Sequence, residues 1–451
     1  MNAPDDAELA RILQRVAHRL SHESADYDAL LELIGDARVV LIGEATHGTH
    51  EFYRERGLIT KRLIAEKGFK AVAVEADWPD AYRINRFVRG AGDDAEAIDA
   101  LADFERFPTW MWRNADVLDF VGWLRDYNDG LAQRSRNQPN VGFYGLDLYS
   151  LRASMDAVIE YLERVDSAAA ERAKERYSCF DHFGPDTDSY ALAVGAGLNA
   201  SCEQDVVDEL IELQRHRAEY ARRDGRIAED EFFFAEQNAR IAKNAERYYR
   251  TMIGADVSSW NLRDTHMTET LQHLFTYLDE HNSGTKIVVW EHNSHIGDAR
   301  ATGMGRRGEL NIGELVRRRF GRHSVLVGLT TYTGTVTAAS GWYGPAQRKH
   351  VRPALPGSWE AALHATGFDR LYINLRDDAR QEAAFSAPRL ERFIGVLYLP
   401  ETERQSHYSR ALLAEQFDAL VHFDHTRAVE PLERTAHWEI PEVPETFPTG
   451  V

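Results

Sequence analysis

The chain carries two carboxylates and three histidines at places where a sheet would deliver them to one edge. Glu44 and His47 follow at once on a run of buried β type, Val39-Val40-Leu41-Ile42, broken by Gly43. A second run, Ala71-Val72-Ala73-Val74, ends on Glu75, with Asp77 close behind as a rival carboxylate. A third, TKIVVWE, runs into Glu291-His292-Asn293-Ser294-His295. Spaced i, i+3 in the turn leaving a strand, Glu44 can orient the His47 imidazole and favour its protonated form, which suits a general base. Two adjacent strands supplying Glu, His and Glu to the same edge point to proton-transfer chemistry. His292 and His295 repeat the arrangement, and neighbouring strands would bring them to His47 across one crevice.

A further charged side chain belongs with these. At 100° per residue, Phe52, Ile59 and Leu63 share one stripe of the helix expected after His47, and Gly68 is its expected stop. Arg56 falls within that stripe, whereas Arg54 lies nearly opposite and is expected to face solvent. A guanidinium on a buried face is costly unless a carboxylate or an anionic ligand satisfies it. Glu44 and Glu75 are the natural partners.

Apolar β-runs at 37–43, 70–76, 140–147, 285–291, 323–330, 370–375, 394–399 and 418–424 must position these groups. Helical segments separate them, beginning with one or two amphipathic helices over 6–34. The fold class is therefore α/β: a mostly parallel central sheet covered by helices on both faces. From Ser150 to His281 the pattern is helical, charged and alanine-rich. This reads as a helical lobe, 150–281, inserted into an α/β core of 1–149 and 282–451. Placed over the carboxyl edge of the sheet, such a lobe walls a cleft, where ligand pockets form. The other arrangement it allows is a helical layer packed on one sheet face. Two loops stand out: Phe104 to Arg113 sets four aromatics around a proline, and Thr331 to Pro356 has the flavour of a hairpin followed by Gly, Trp, Tyr and Pro. Each suits a lid or an aromatic substrate wall, and equally a surface cluster.

Composition narrows the field. The chain has 451 residues and 43% hydrophobic residues. No apolar run reaches the ~18 residues of a membrane span. The N-terminus lacks the basic and apolar regions of a signal peptide, so the expected location is cytoplasmic. A net charge of -19 argues against nucleic-acid binding, and Arg317-Arg318-Arg319 is expected on a solvated helix face. Cys179 and Cys202 are the only cysteines, too few for a disulfide scaffold or a cysteine zinc site; a single bond between them stays open as the less favoured outcome. There is no G-x-S-x-G elbow, H-E-x-x-H, Walker loop or G-x-G-x-x-G after the first strand. Gly303 to Gly308 lacks the strand and Lys-Ser/Thr of a phosphate loop and is expected to be a flexible connection.

In combination, Gly43-Glu44-Ala45-Thr46-His47, the buried Arg56, Val74 to Trp78 and Glu291 to Asp298 resemble the erythromycin esterase family, with similarity from about residue 35 to beyond 430. The resemblance implies an α/β core with a helical lobe and a deep cleft. The implied activity is hydrolysis of a carboxylic ester, in named members the lactone of a macrolide ring, with no metal or other cofactor required. Carried over by position, the family's catalytic histidine is His47 and its arginine Arg56. Its glutamates are Glu44 and Glu75, and its later histidines His292 and His295. On this basis His47 takes a proton from water, which attacks the carbonyl with no acylated serine or cysteine. Glu44 and Glu75 orient His47 or the water, Arg56 holds a carboxylate, and His292 or His295 polarises the carbonyl. The expected partner is a small-molecule ester or lactone, with neither nucleic acid nor membrane. Other readings stay open: a metal-dependent hydrolase on the same cluster, a small-molecule or haem binding protein using one exposed histidine, and an interaction module.

Overall fold

A computed structural model describes residues 6–21, 23–134, 140–183, 187–195, 197–220, 226–252, 256–281, 284–376 and 383–439. Strands β1 (Ala17–Arg19), β2 (Val39–Ile42), β3 (Ala71–Asp77), β4 (Gly142–Asp147), β5 (Ile287–Trp290), β6 (Ser324–Ala338), β7 (Gln347–Val351), β8 (Arg370–Asn374) and β11 (Ala419–Thr426) form one sheet. Two more, β9 (Arg389–Arg392) and β10 (Tyr408–Ala411), form an antiparallel pair. The main order is β1-β8-β11-β6-β2-β5-β3-β4, with β7 against β6. The six strands from β11 to β4 are parallel, whereas β8, β1 and β7 pair antiparallel. This is the mostly parallel α/β sheet expected.

Every residue of β2, β3, β4 and β5 is buried, because helices cover both faces. Val40, Ile42, Val72, Val74, Val288 and Trp290 point into one apolar layer, shared with the helices Asp28–Ile34, His50–Lys67 and Ala115–Arg134. Leu41, Ala73, Val289 and Leu326 point into the other. That second layer continues without a break into Val158, Leu213 and Leu274 of the helices Leu151–Val165, Glu203–Arg215 and Asp256–His281. Fully burying each such Val, Leu or Ile contributes about 1.5–3 kcal/mol.

Several expectations need correction. β2 and β3 are not neighbours, since β5 lies between them and pairs with both. The crossover through the helix His50–Lys67 carries the chain past one strand position, and β5 fills that slot when the chain returns through 287. The run 394–399 is not a strand; it makes single bridges, Thr46 with Ile394 and Ala339 with Leu397. β9 precedes it, while β1, only three residues long, and β10 carry no apolar signal. Gly303 to Gly308 opens as a short helix, Gly303–Arg306, capped by Thr302, not as a flexible connection. Cys179 and Cys202 form a disulfide with Cα atoms 5.9 Å apart, the less favoured of the two outcomes left open. Such a bond belongs to oxidising compartments and is rare in cytosol.

Other expectations hold. The helix His50–Lys67 stops at Gly68, which takes φ 73° and donates its N–H to Leu63. Within 331–356, residues 334–338 of β6 pair antiparallel with β7 at 347–351. Between β4 and β5 the described chain holds helices and no strand. The interval's far boundary, at 282, and the first five residues lie outside the described residues. Among the described residues no helix is long and apolar enough to cross a membrane.

Candidate active site

Strand register sets the level at which the acids emerge. Ile42 and Val74 both pair with Trp290, so Glu44, Glu75 and Glu291 leave the sheet together at its carboxyl edge. Gly43 permits this closeness: a Cβ there would lie 2.0 Å from the side-chain oxygen of Asn293. Asn293 in turn donates its backbone N–H to the Glu44 carbonyl at 2.8 Å. The turn bearing His292 is thereby tied to the turn bearing Glu44.

His47 sits at the centre and is 7% exposed. Its Nδ1–H donates to Glu44 Oε1 at 2.9 Å. The other oxygen of Glu44 lies 2.8 Å from Arg56 Nη2. Arg56 is enclosed by the rings of Tyr53 and Trp290, at 4.5 and 5.3 Å. Glu44 and Arg56 are each 1% exposed, so each offsets the cost of burying the other. With Nδ1 occupied, Nε2 of His47 carries the lone pair and faces Glu75 Oε1 at 3.9 Å. Burial works against a proton on this ring, but the charges of Glu75 and Glu44 overcome it and raise the pKa above the ordinary 6.5.

Glu75 is held on every side. Arg263 Nη2 donates to Oε1 at 2.8 Å, and the His292 backbone N–H donates to Oε2 at 2.8 Å. His295 Nε2 stands 3.5 Å from Oε1. Burial opposes its charge, yet His295, His47 and Arg263 hold the carboxyl well below the usual range. It stays an anion and is no proton store. Arg263 also binds Asp147 twice, at 3.0 and 2.7 Å, and donates to His295 Nε2 at 3.0 Å. His295 Nδ1 lies 3.0 Å from both oxygens of Asp264, and its ring stacks on Trp260 at 4.4 Å.

His292 is differently placed. Its ring centroid lies 4.8 Å from that of His47. The Ser294 backbone N–H donates to Nδ1 at 3.2 Å, which puts the proton on Nε2. Nε2 makes no hydrogen bond of ordinary geometry within the described residues, although the Ala45 carbonyl nearby favours its proton. Burial, aided by the charge of His47, pushes its pKa well below 6.5, so the ring is a neutral N–H donor at working pH. Glu291 is equally enclosed: among the described residues neither of its oxygens has a hydrogen-bond partner, and burial, with Glu75 and Asp264 close, raises its pKa well above normal. Asp77, the rival carboxylate, is engaged by Arg106 at 2.7 Å instead.

The structure thus brings His47, Glu44, Glu75, Arg56, His292 and His295 into one cluster, all of them buried. None offers the exposed imidazole a haem ligand would use. Among the described residues no group of three or more His, Cys, Asp or Glu side chains is arranged to hold a metal ion; the cation bound to Glu75 and Asp147 is Arg263. Sequence reasoning missed Arg263, Asp264 and Asp147. Asp147 ends a strand just as Glu75 nearly does, so the same rule applied to it. Asp264 shares a buried helical stripe with Met267, Leu271 and Leu274, the pattern that exposed Arg56. Arg263 carried no such signal.

The chain is similar in sequence and in fold to known proteins. The chain is 22% identical over 430 residues to erythromycin esterase type II of Escherichia coli, covering 87% of this chain and 93% of that one. A Bacillus cereus protein of solved structure superposes with a TM-score of 0.76 at 20% identity, covering 95% of this chain and 100% of that one. A substituted form of the erythromycin esterase EreC, solved in its open conformation, superposes with a TM-score of 0.64 at 15% identity, covering 96% and 100%. The sequence profile described as erythromycin esterase matches residues 64–426, a span that takes in Glu75, His292 and His295 and begins after Arg56. By that match over most of its length, the chain belongs to the erythromycin esterase family.

Proposed function

We propose that the protein hydrolyses a carboxylic ester or lactone with water activated by His47, without a covalent intermediate. The observation that carries this is the His47 imidazole, locked by Glu44 at Nδ1 with its Nε2 open towards Glu75 across 3.9 Å. A water seated between them gives one proton to His47 Nε2, and Glu75 accepts the other in a hydrogen bond. The oxygen then attacks the carbonyl carbon. The neutral Nε2–H of His292, beside His47, donates to the carbonyl oxygen as negative charge grows there. Collapse of the tetrahedral intermediate breaks the bond to the leaving oxygen, which takes the proton back from His47. Arg56 keeps Glu44 in place, and Arg263 does the same for Glu75. His295, hydrogen-bonded to Asp264 and Arg263 and stacked on Trp260, is a positioning residue in this reading, not an oxyanion donor.

The helices of 150–281 form one wall of the cleft in this proposal, because Arg263 and Asp264 reach the site from the helix Asp256–His281. A metal-dependent course would need an ion where the guanidinium of Arg263 already neutralises the acids. The test is a screen of lactones and simple esters with and without excess chelator. Turnover undiminished by chelator supports the proposal; activity lost to chelator and restored by a divalent ion overturns it.

A further inference from the structure

Glu291 is a buried acid of the cluster that the hydrolytic course leaves without a task. It belongs to a set of four carboxyls around Arg263, with Glu75, Asp147 and Asp264. The other three are well supplied with donors. Glu75 accepts from Arg263 Nη2 and from the His292 backbone N–H, both at 2.8 Å. Asp147 accepts twice from Arg263 and once from the Leu148 backbone N–H at 2.9 Å. Asp264 lies 3.0 Å from His295 Nδ1 and accepts the Ile312 backbone N–H at 3.0 Å. Glu291 differs from them all. It is 1% exposed, and among the described residues neither oxygen has a hydrogen-bond partner.

The strand explains this. Along β5, Val288 and Trp290 point into one apolar layer, and Ile287 and Val289 into the other. Alternation therefore carries Glu291 to the side of the helix Asp256–His281. From that helix Arg263 and Asp264 act on it, and from the neighbouring strand ends Glu75 of β3 and Asp147 of β4. Among these groups only Arg263 is a cation, and its three nitrogens are already directed at Asp147, Glu75 and His295. Burial opposes a charge on Glu291, as do Glu75, Asp264 and Asp147, and Arg263 does not offset them. A buried carboxyl with neither a donor nor a cation of its own keeps its proton.

We propose that Glu291 is a positioning residue that works as an uncharged carboxylic acid, filling its place in the cluster without competing with Glu75 for Arg263. An anion there would draw the guanidinium away from Glu75, and an empty space would let Glu75 turn aside. Either change would misplace the water between Glu75 and His47. Glu291 thus acts through Glu75. Its purpose rests on the hydrolytic reading above; its charge rests on the geometry of the cluster alone.

The charge is read without a substrate, by urea unfolding of wild type and Glu291→Gln over a series of pH values from about 4.5 upwards. In the unfolded chain Glu291 ionises near the ordinary value of about 4.3. In the folded protein it keeps its proton to higher pH, so its contribution to stability is full below the unfolded value and is lost as pH rises towards the folded one. The unfolding constant of wild type, relative to that of the variant, should therefore grow about tenfold per pH unit over this range. A flat ratio shows an ionised Glu291 and overturns the proposal. Glu291→Leu repeats the series, since an uncharged group without partners can be replaced by hydrocarbon of similar volume. Failure of both variants to fold also overturns it. The positioning role is read from the best ester substrate. Glu291→Ala lowers kcat about tenfold or more with KM within about twofold, and Glu291→Gln regains most of that loss with the acid limb of its pH profile where wild type has it. Wild-type kcat in Glu291→Ala, no recovery in Glu291→Gln, or an acid limb shifted down in Glu291→Gln overturns the role. Should the tenfold slope appear while no ester is hydrolysed, the charge of Glu291 stands and the hydrolytic reading fails.

Discussion

At the scale of single residues, the charge on His47 is set by its neighbours. Burial alone would lower its pKa; Glu75 and Glu44 raise it instead. A base must be unprotonated, so kcat/KM should climb with pH through a midpoint above 6.5 and then level off. Glu75→Gln keeps the shape of the side chain and removes one of the charges that raise the pKa. The acid limb should therefore move to lower pH, and a limb that stays put or moves up would contradict the role given to Glu75. Stability has the opposite sign. A histidine pKa raised in the folded state contributes stability that is full below the unfolded value and fades as pH rises through the folded one. The residues of this network were legible because each broke a rule: Arg56 interrupted an apolar stripe, and Glu44 and Glu75 ended apolar strands. Arg263 broke none that could be seen, since a charged residue in a polar helical stretch looks like solvent-facing surface.

At the scale of elements, the site depends on two turns pressed together, the one after β2 and the one after β5. Gly43 is the point of contact, with Asn293 Oδ1 where a Cβ would stand. In Gly43→Ala, Asn293 must shift and weaken its 2.9 Å bond to the Leu329 carbonyl, at a cost of about 1–3 kcal/mol. Displacing His292 with it should lower kcat/KM by tenfold or more. A melting curve and a kinetic assay on the variant check both effects; wild-type values in the two would show that the contact does not hold the site. The strand runs themselves were readable from continuous apolar stretches, which is how doubly covered parallel strands are written. Their order was not. Placing β5 between β2 and β3 depends on a return of the chain after more than a hundred residues, and no local pattern encodes it. Edge strands such as β1 and β10, with one face polar, left too weak a signal to find.

For the molecule as a whole, one apolar layer runs from the sheet into the helices of 151–281. The same segment delivers Arg263 and Asp264 to the acids, so stability and chemistry share a framework. The Cys179–Cys202 bond closes 23 residues of that segment, away from the cluster. Its loss should cost about 3 kcal/mol by the chain-entropy estimate. Reduction, or Cys179→Ser, should lower Tm while kcat holds. An unchanged Tm with both thiols demonstrably free would show that the bond contributes no stability. The general architecture was accessible from alternating strands and helices, and the long helical interval from its composition. The bond was not, because two cysteines in an otherwise cysteine-free chain carry no spacing pattern to read.

The most direct test of the account is kcat/KM for the best ester substrate with His47→Ala, beside the melting temperature of the same protein. Loss of a general base predicts a fall of at least about 10²- to 10⁴-fold, with Tm held close to wild type. Hydrolysis at the wild-type rate by the folded variant would contradict it.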